Sequence, residues 1–134
     1  KDNLLLSMGA DDVVSSLDKD AIRSYGAKFD FLISTVNVKL DWNLFLSIIR
    51  PRGRLHFVGA VLDPIDASVF SLMGGRRSIS GSPVGSPKNI KKMLVFCSKH
   101  DIYPEVEHFK FKNINEAIKK VRENKVRFRA VLSW

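Results

Sequence analysis

Three short stretches of small residues hold most of the chemistry this sequence offers: Ser34-Thr35-Val36, Gly59-Ala60-Val61 and Gly81-Ser82-Pro83-Val84-Gly85. Each follows an apolar run that reads as a β-strand. Residues this small let a flat ligand lie against backbone N–H and C=O groups, and the hydroxyls of Thr35 and Ser82 add donors. In an open α/β sheet, ligands bind just beyond the carboxyl ends of the strands, so the pattern suits a nucleotide. The competing reading is that the glycines only let the strands turn into their loops. On these residues alone the two readings stand level.

Groups for acid–base or metal chemistry are sparse. His56, His100 and His108 are isolated, with no partner at ligand spacing. His56 lies inside a strand and reads as a core or edge histidine with its hydrogen bonds satisfied. His100-Asp101 closes a helix, where the dipole favours a cation. Cys97, on an apolar helical stripe, reads as a small buried hydrophobe. As the only cysteine it excludes an internal disulfide and a cysteine-based metal site, and it suits a reducing cytoplasm. No carboxylate stands at any of the three strand ends. No catalytic residue and no metal ligand is therefore assigned within these 134 residues.

The elements that would position the small-residue stretches alternate strand with helix. Leu4, Leu5 and Met8 are at helical spacing, with Gly9 as a left-handed cap. Val13-Val14 reads as a short strand, and Ile22 and Tyr25 mark a helix that runs to Gly26. Residues 29–35 (FDFLIST) form a nearly continuous apolar strand, as expected when both faces are covered. Asp41 can cap a helix over 42–50 with Phe45, Ile48 and Ile49 inward, ended by Pro51 and Gly53. Residues 55–61 form the next strand, broken by Gly59. Asp66 can cap a helix with Val69, Phe70 and Met73 inward, and residues 78–81 begin a further strand. Each connection is long enough for a helical crossover, which parallel strands require. The fold class is α/β, an open doubly wound sheet.

The texture changes near Ser86. Ser86-Pro87 starts a helix with Ile90, Met93, Leu94 and Cys97 on one stripe. Residues 106–111 alternate in part, as in a half-exposed strand. Asn113 and Glu116 resemble a capping box for a helix with Ile114, Ala117, Ile118 and Val121 inward. The chain ends on a strand over 128–132. Two regions follow: 1–86, and 87–134 as a linking helix with a further α+β segment.

An apolar fraction of 45% excludes a disordered chain, and no uncharged apolar run approaches the ~18 residues that span a bilayer. The net charge of +8 raises nucleic acid as a partner, but the basic residues are dispersed and no aromatic signature of an RNA-binding sheet runs between them. Nucleic acid and membrane are both set aside as partners. No signal segment opens the chain, and it begins on Lys1 rather than a methionine, so its N-terminus reads as a cut.

Read together, several segments resemble the zinc-dependent medium-chain alcohol dehydrogenases, in their cinnamyl-alcohol-dehydrogenase-like branch. Residues 8–14 (MGADDVV) resemble LGAD-x-V-V. Residues 29–36 (FDFLISTV) resemble the strand FDFIIDTV, with Ser34 in place of the aspartate. Residues 50–60 (RPRGRLHFVGA) resemble L-K-P-x-G-x-L-V-x-V-G, and residues 76–82 (RRSISGS) resemble K-R-x-I-x-G-S. The segments Ile114-Asn115-Glu116-Ala117 and Val126-Arg127-Phe128-Arg129 are similar to the I-N-E-A and V-R-Y-R of the branch's close. Each motif is weak alone; their order and spacing over almost the whole chain make the match.

The resemblance implies a C-terminal piece: the second half of a Rossmann domain in 1–86, then the return segment of a GroES-like catalytic domain in 87–134. It implies interconversion of small alcohols and aldehydes by the full-length enzyme, with NADP(H), NAD being the alternative, and a catalytic zinc whose ligands lie outside this chain. It implies that Thr35, Val36, Val58, Gly59 and Ala60 line the cofactor. Ser82, Pro83 and Val84 would meet the nicotinamide through backbone groups, and Arg129 would reach the pyrophosphate. A homodimer through 78–85 is implied as well, since an uncharged strand edge invites pairing. The reading from another class is a complete small nucleotide-binding or regulatory α/β domain without catalysis.

Overall fold

The computed structural model describes residues 2–134, and Lys1, with the reading of it as a cut end, lies outside them. The chain forms two compact units, residues 1–84 and 85–134. In the first, helix α1 (Asp2–Ser7) ends as Gly9 requires. Gly9 takes a φ of 100°, its N–H donates to Leu6 O, and Ala10 N–H donates to Leu5 O. These two bonds make a Schellman cap. Helix α2 (Lys19–Ser24) is opened by Asp18, which accepts from Ala21 N–H at 3.0 Å, and closed before Gly26 at φ 55°.

Strands β1 (Phe29–Ser34), β2 (Ile49–Phe57) and β3 (Ser78–Gly81) form a parallel sheet in the order β1-β2-β3. Its crossovers carry α3 (Trp42–Ser47) and α4 (Val69–Met73). The expected α/β fold with long connections is what the chain adopts.

Several local expectations are corrected. Val13 and Val14 form no strand; a strand needs a neighbour to share its ladder, and this segment has none among the described residues. The helix opened by Asp41 stops at Ser47, and β2 begins at Ile49, so Pro51 and Gly53 belong to a strand rather than to a helix end. The register against β1 moves between Phe29↔Ile49 and Phe31↔Arg54, so β2 bulges by three residues, with Arg52 at φ 65°. Gly53 sits where a Cβ would press on Ile49 and on Asp30 O, so only glycine closes the bulge.

Helix α3 is buried on two sides. Trp42 and Leu46 pack with Ile49 and Leu55 in one cluster, and Leu44 and Ile48 pack with Ile22 in another. Of the expected inner face, Ile48 and Ile49 are buried and Phe45 is only half-buried. A helix apolar nearly all round is an interior helix, and a single-stripe reading finds only part of it.

The inward set predicted for α4 is wrong. Val69, Phe70 and Met73 are 64%, 83% and 67% exposed, and Leu72 packs on the core instead. Asp66 does not cap this helix; Ser68 stands at its N-cap. The rotation is set from α3, where Asn43 Oδ1 accepts from Ser68 N–H at 2.8 Å while Asn43 Nδ2 donates to Asp66 O at 3.1 Å. Arg77 holds the other end, donating to Ile49 O at 2.6 Å and Ser71 O at 3.0 Å.

In the second unit, Ser86 accepts from Asn89 N–H and Pro87 opens helix α5 (Pro87–Lys99) as expected. The stripe on α5 is not covered: Ile90, Met93 and Leu94 are exposed, and Cys97 is half-buried rather than buried. Strand β4 (Glu107–Lys110) and strand β5 (Ala130–Ser133) pair in parallel across a 3₁₀ turn and helix α6 (Ile114–Arg122). Asn113 makes no side-chain cap, because the 3₁₀ turn leads directly into α6. Phe109 and Ala117 form the small core, and Ile118 and Val121, expected inward, are exposed. Strand β5 starts later than expected, since Phe128 takes a φ of 60° and breaks the extended run.

Candidate functional site

Because β1, β2 and β3 are parallel, their carboxyl ends fall in one row. Ser34 faces Phe57 in register, and Phe57 faces Gly81. The residues that follow are Thr35-Val36, Val58-Gly59-Ala60 and Ser82-Pro83-Val84, so the structure brings eight of the nine expected cofactor contacts to the same end of the sheet. The first two groups are tied directly. Ser34 O accepts from Val58 N–H at 2.9 Å and Gly59 N–H at 3.1 Å.

Gly59 is required by this approach. A Cβ there would run into Val36 O and stand 2.7 Å from Thr35 O, so any other residue would push the two loops apart. The cradle is made of backbone. Thr35, Val58, Ala60, Ser82, Pro83 and Val84 are all exposed, Val84 to 92%, while Val36 and Gly59 are partly covered. The third loop is anchored to the second strand by Ser82 N–H, which donates to Phe57 O at 3.1 Å.

At the end of β1 a cleft of about 170 Å³ is lined by Ser34, Thr35, Val36, Leu40 and Trp42, among others. The Ser34 hydroxyl and the Trp42 indole N–H are buried without a protein hydrogen-bond partner. Buried polar atoms are nearly always paired, with protein or with ordered water. This pair sits beside the cofactor-binding candidates, and the departure of Ser34 from the aspartate pattern thus coincides with an unsatisfied hydroxyl. The polarity at Trp42 had no signal in the sequence, where an indole on a helix reads as core.

Arg129 belongs to the second unit. It precedes β5 rather than lying within it, is exposed, and lines a cleft of about 370 Å³ with Asn124, Val126 and Phe128. Its carbonyl accepts from Glu107 N–H at 2.9 Å, which fixes the backbone and leaves the guanidinium to solvent. Arg127 N–H donates to Glu107 Oε1 at 2.6 Å. With Phe128 between them in a left-handed conformation, the segment is not a regular strand, in which residues 127 and 129 would share one face.

Of the histidines, His56 is half-buried and engaged with Ser80 and Ser82, His100 packs tilted against Phe96 with ring centroids 4.4 Å apart, and His108 is exposed. Among the described residues no three of His, Cys, Asp and Glu stand together as a metal site, and no helix is long and apolar enough to cross a membrane.

Comparison with known proteins matches this arrangement to one family. The family profile of the zinc-binding dehydrogenases matches residues 1–99. The chain belongs to that family. It is 50% identical over 133 residues to an aldehyde reductase, AdhA, of Synechocystis, covering 99% of this chain and 40% of the reductase. Among solved structures it is similar to a cinnamyl alcohol dehydrogenase of Sorghum bicolor, with a TM-score of 0.88, 28% identity, and 97% and 37% of the two chains covered. It is also similar to a cinnamyl alcohol dehydrogenase of Helicobacter pylori complexed with NADP(H), with a TM-score of 0.65, 34% identity, and 77% and 30% covered. The chain thus spans two fifths or less of the length of these relatives.

Proposed function

We propose that this chain supplies the nicotinamide half of the cofactor site in a longer NADP(H)-dependent alcohol dehydrogenase that interconverts small alcohols and aldehydes. The observation that carries the reading is the row of three parallel strand ends, closed by Gly59 against Thr35 and Val36. A flat ligand laid across that row would meet backbone amides and small side chains, with no bulky group to displace. Thr35, Val36, Val58, Gly59 and Ala60 would line the cofactor, and Ser82, Pro83 and Val84 would meet the nicotinamide. The cofactor, when bound, supplies the carbon that takes or gives the hydride. This chain's part is to hold and orient it and to keep water from one side of the ring.

Residues 1–86 act in this reading as the second half of the Rossmann domain and 87–134 as a segment of the catalytic domain. Arg129 has its place by resemblance, as a planar charged fork suited to a pyrophosphate. Zinc would be held by residues outside this chain. A homodimer through 78–85 is proposed on the free edge of β3, which among the described residues pairs only with β2. A cytoplasmic location suits an enzyme with a free cysteine and a soluble cofactor.

Three measurements test the reading. NADPH fluorescence titration of the full-length enzyme is expected to show binding that Gly59→Val abolishes. Metal analysis of the purified chain is expected to find no stoichiometric zinc, and an activity assay of it no oxidation of primary alcohols with NADP. Turnover that a chelator abolishes would overturn the assignment of this chain as a part.

A further inference from the structure

The face of the sheet turned away from Trp42 and Leu46 carries a polar line where β2 meets β3. Arg54 Nε donates to Ser78 Oγ at 3.3 Å, and the two residues are register partners. His56 does more than its register requires. Its Nδ1 lies 2.8 Å from Oγ of Ser80, its direct partner, and its Nε2 lies 2.9 Å from Oγ of Ser82.

Ser82 stands past the last ladder pair, Phe57↔Gly81, at the point where the loop leaves the sheet. One imidazole therefore adds a side-chain tie to the residue just past the last ladder pair. Phe31 stacks on the other flank of the ring, at 5.7 Å and 27°, and limits its rotation. A neutral imidazole offers one donor and one acceptor, and a serine hydroxyl serves as either, so both nitrogens are satisfied in either tautomer.

For sheet stability alone a β-branched aliphatic at this half-buried strand position would serve as well. What the histidine adds is a side-chain anchor on Ser82, beside the main-chain bond from Ser82 N–H to Phe57 O. The next residues, Pro83 and Val84, are exposed.

We propose that His56 is a positioning residue for cofactor binding: by holding Ser82 it sets the path of the loop 82–85 on which the nicotinamide would rest. This rests on the reading of Ser82, Pro83 and Val84 as cofactor contacts.

The test is a double-mutant cycle in the full-length enzyme, with two readouts: hydrogen exchange at the amides of Val84 and Gly85, and NADPH affinity by fluorescence titration. His56→Ala and Ser82→Ala are each expected to speed exchange and weaken NADPH by about two- to tenfold, the span of one hydrogen bond's net contribution. The double variant should be no worse than His56→Ala, as expected for two ends of one interaction. His56→Gln, which keeps a donor and an acceptor, should recover part of both. Ser78→Ala, on the same face, should change neither. Unchanged exchange in His56→Ala, or effects that multiply in the double variant, would overturn the role of His56 even where wild-type binding is intact. A full-length wild-type enzyme that binds no NADPH would instead overturn the cofactor reading of the loop, and the positioning role with it.

Discussion

On one face of the three-stranded sheet, Leu32, Leu55, Phe57 and Ile79 pack against Trp42, Leu46 and Ile49. On the other, Phe31 and Ile33 are 49% and 56% exposed, beside Arg54 and His56. Both faces come from the same strands, and in β1 both are apolar. The first is covered by the crossover helices this chain carries itself. The second has no layer of its own among the described residues, yet β1 is written as if it had one. A strand apolar on both faces belongs to a sheet covered on both, and the proposed longer polypeptide is what would supply the second layer. The contrast also sorts energy from recognition. The covered face holds the core, and the open face holds the polar pairs that reach the loop after β3.

The sharpest way to break that contrast is to remove one side chain from each face. Leu46→Ala, at a fully buried site, should cost about 2–5 kcal/mol in urea denaturation. Ile33→Ala should cost less than about 0.5 kcal/mol in this chain, as for a surface change. Equal losses would mean that the second face is covered after all.

Gly59→Ala comes next. The added methyl must displace Val36 O, and the overpacking should cost about 1–3 kcal/mol. It should weaken NADPH in the same titration, because the first two loops would part.

Arg129→Ala should weaken cofactor binding in the full-length enzyme by about 1.5–3 kcal/mol, the contribution of a charged hydrogen bond. Arg127→Ala serves as the control, and equal affinity in wild type and Arg129→Ala would remove Arg129 from the site.

The smallest effect expected is one of pH, at the segment around Val13, which forms no strand. Tyr25 donates to Asp12, which draws the Asp12 carboxyl below its ordinary range and the Tyr25 hydroxyl above its own. A lowered carboxyl contributes above its unfolded pKa and loses that contribution as pH falls through the folded one. A raised tyrosine contributes below its unfolded pKa and loses it as pH rises through the folded one. Amide protection at Val13, whose N–H donates to Asp12, should therefore hold at neutral pH and fall towards both acid and strong base. A protection profile flat across that range would show that the pair does not hold the segment.

The residues at the three strand ends were legible because strand, loop and crossover each announce themselves locally. An apolar run, a glycine or proline, and a capping serine or aspartate lie within a few positions of one another. Asp41 capping α3 through Leu44 N–H and Ser86 capping α5 through Asn89 N–H needed nothing further. Parallel pairing followed from connection length, since no hairpin spans such gaps.

What local pattern could not reach was decided by groups distant in the chain. The rotation of α4 is set by Asn43, 25 residues before Ser68, and by Arg77 bridging to Ile49 O across 28 residues. Val69, Phe70 and Met73 therefore face outward although their spacing fits an inner face. The start of β2 at Ile49 was hidden because a bulge with Pro51 and Gly53 inside it looks, residue by residue, like a helix stop. His56 shows the same limit at the site: its residue type and place in a strand were readable, but its two partners lie on the next strand, brought within 3 Å only by the parallel register. Sequence determined which residues stand at strand ends because backbone preference is local. Tertiary structure decided what each of them touches, because hydrogen bonds and packing across crossovers depend on rotation and register that no single segment carries.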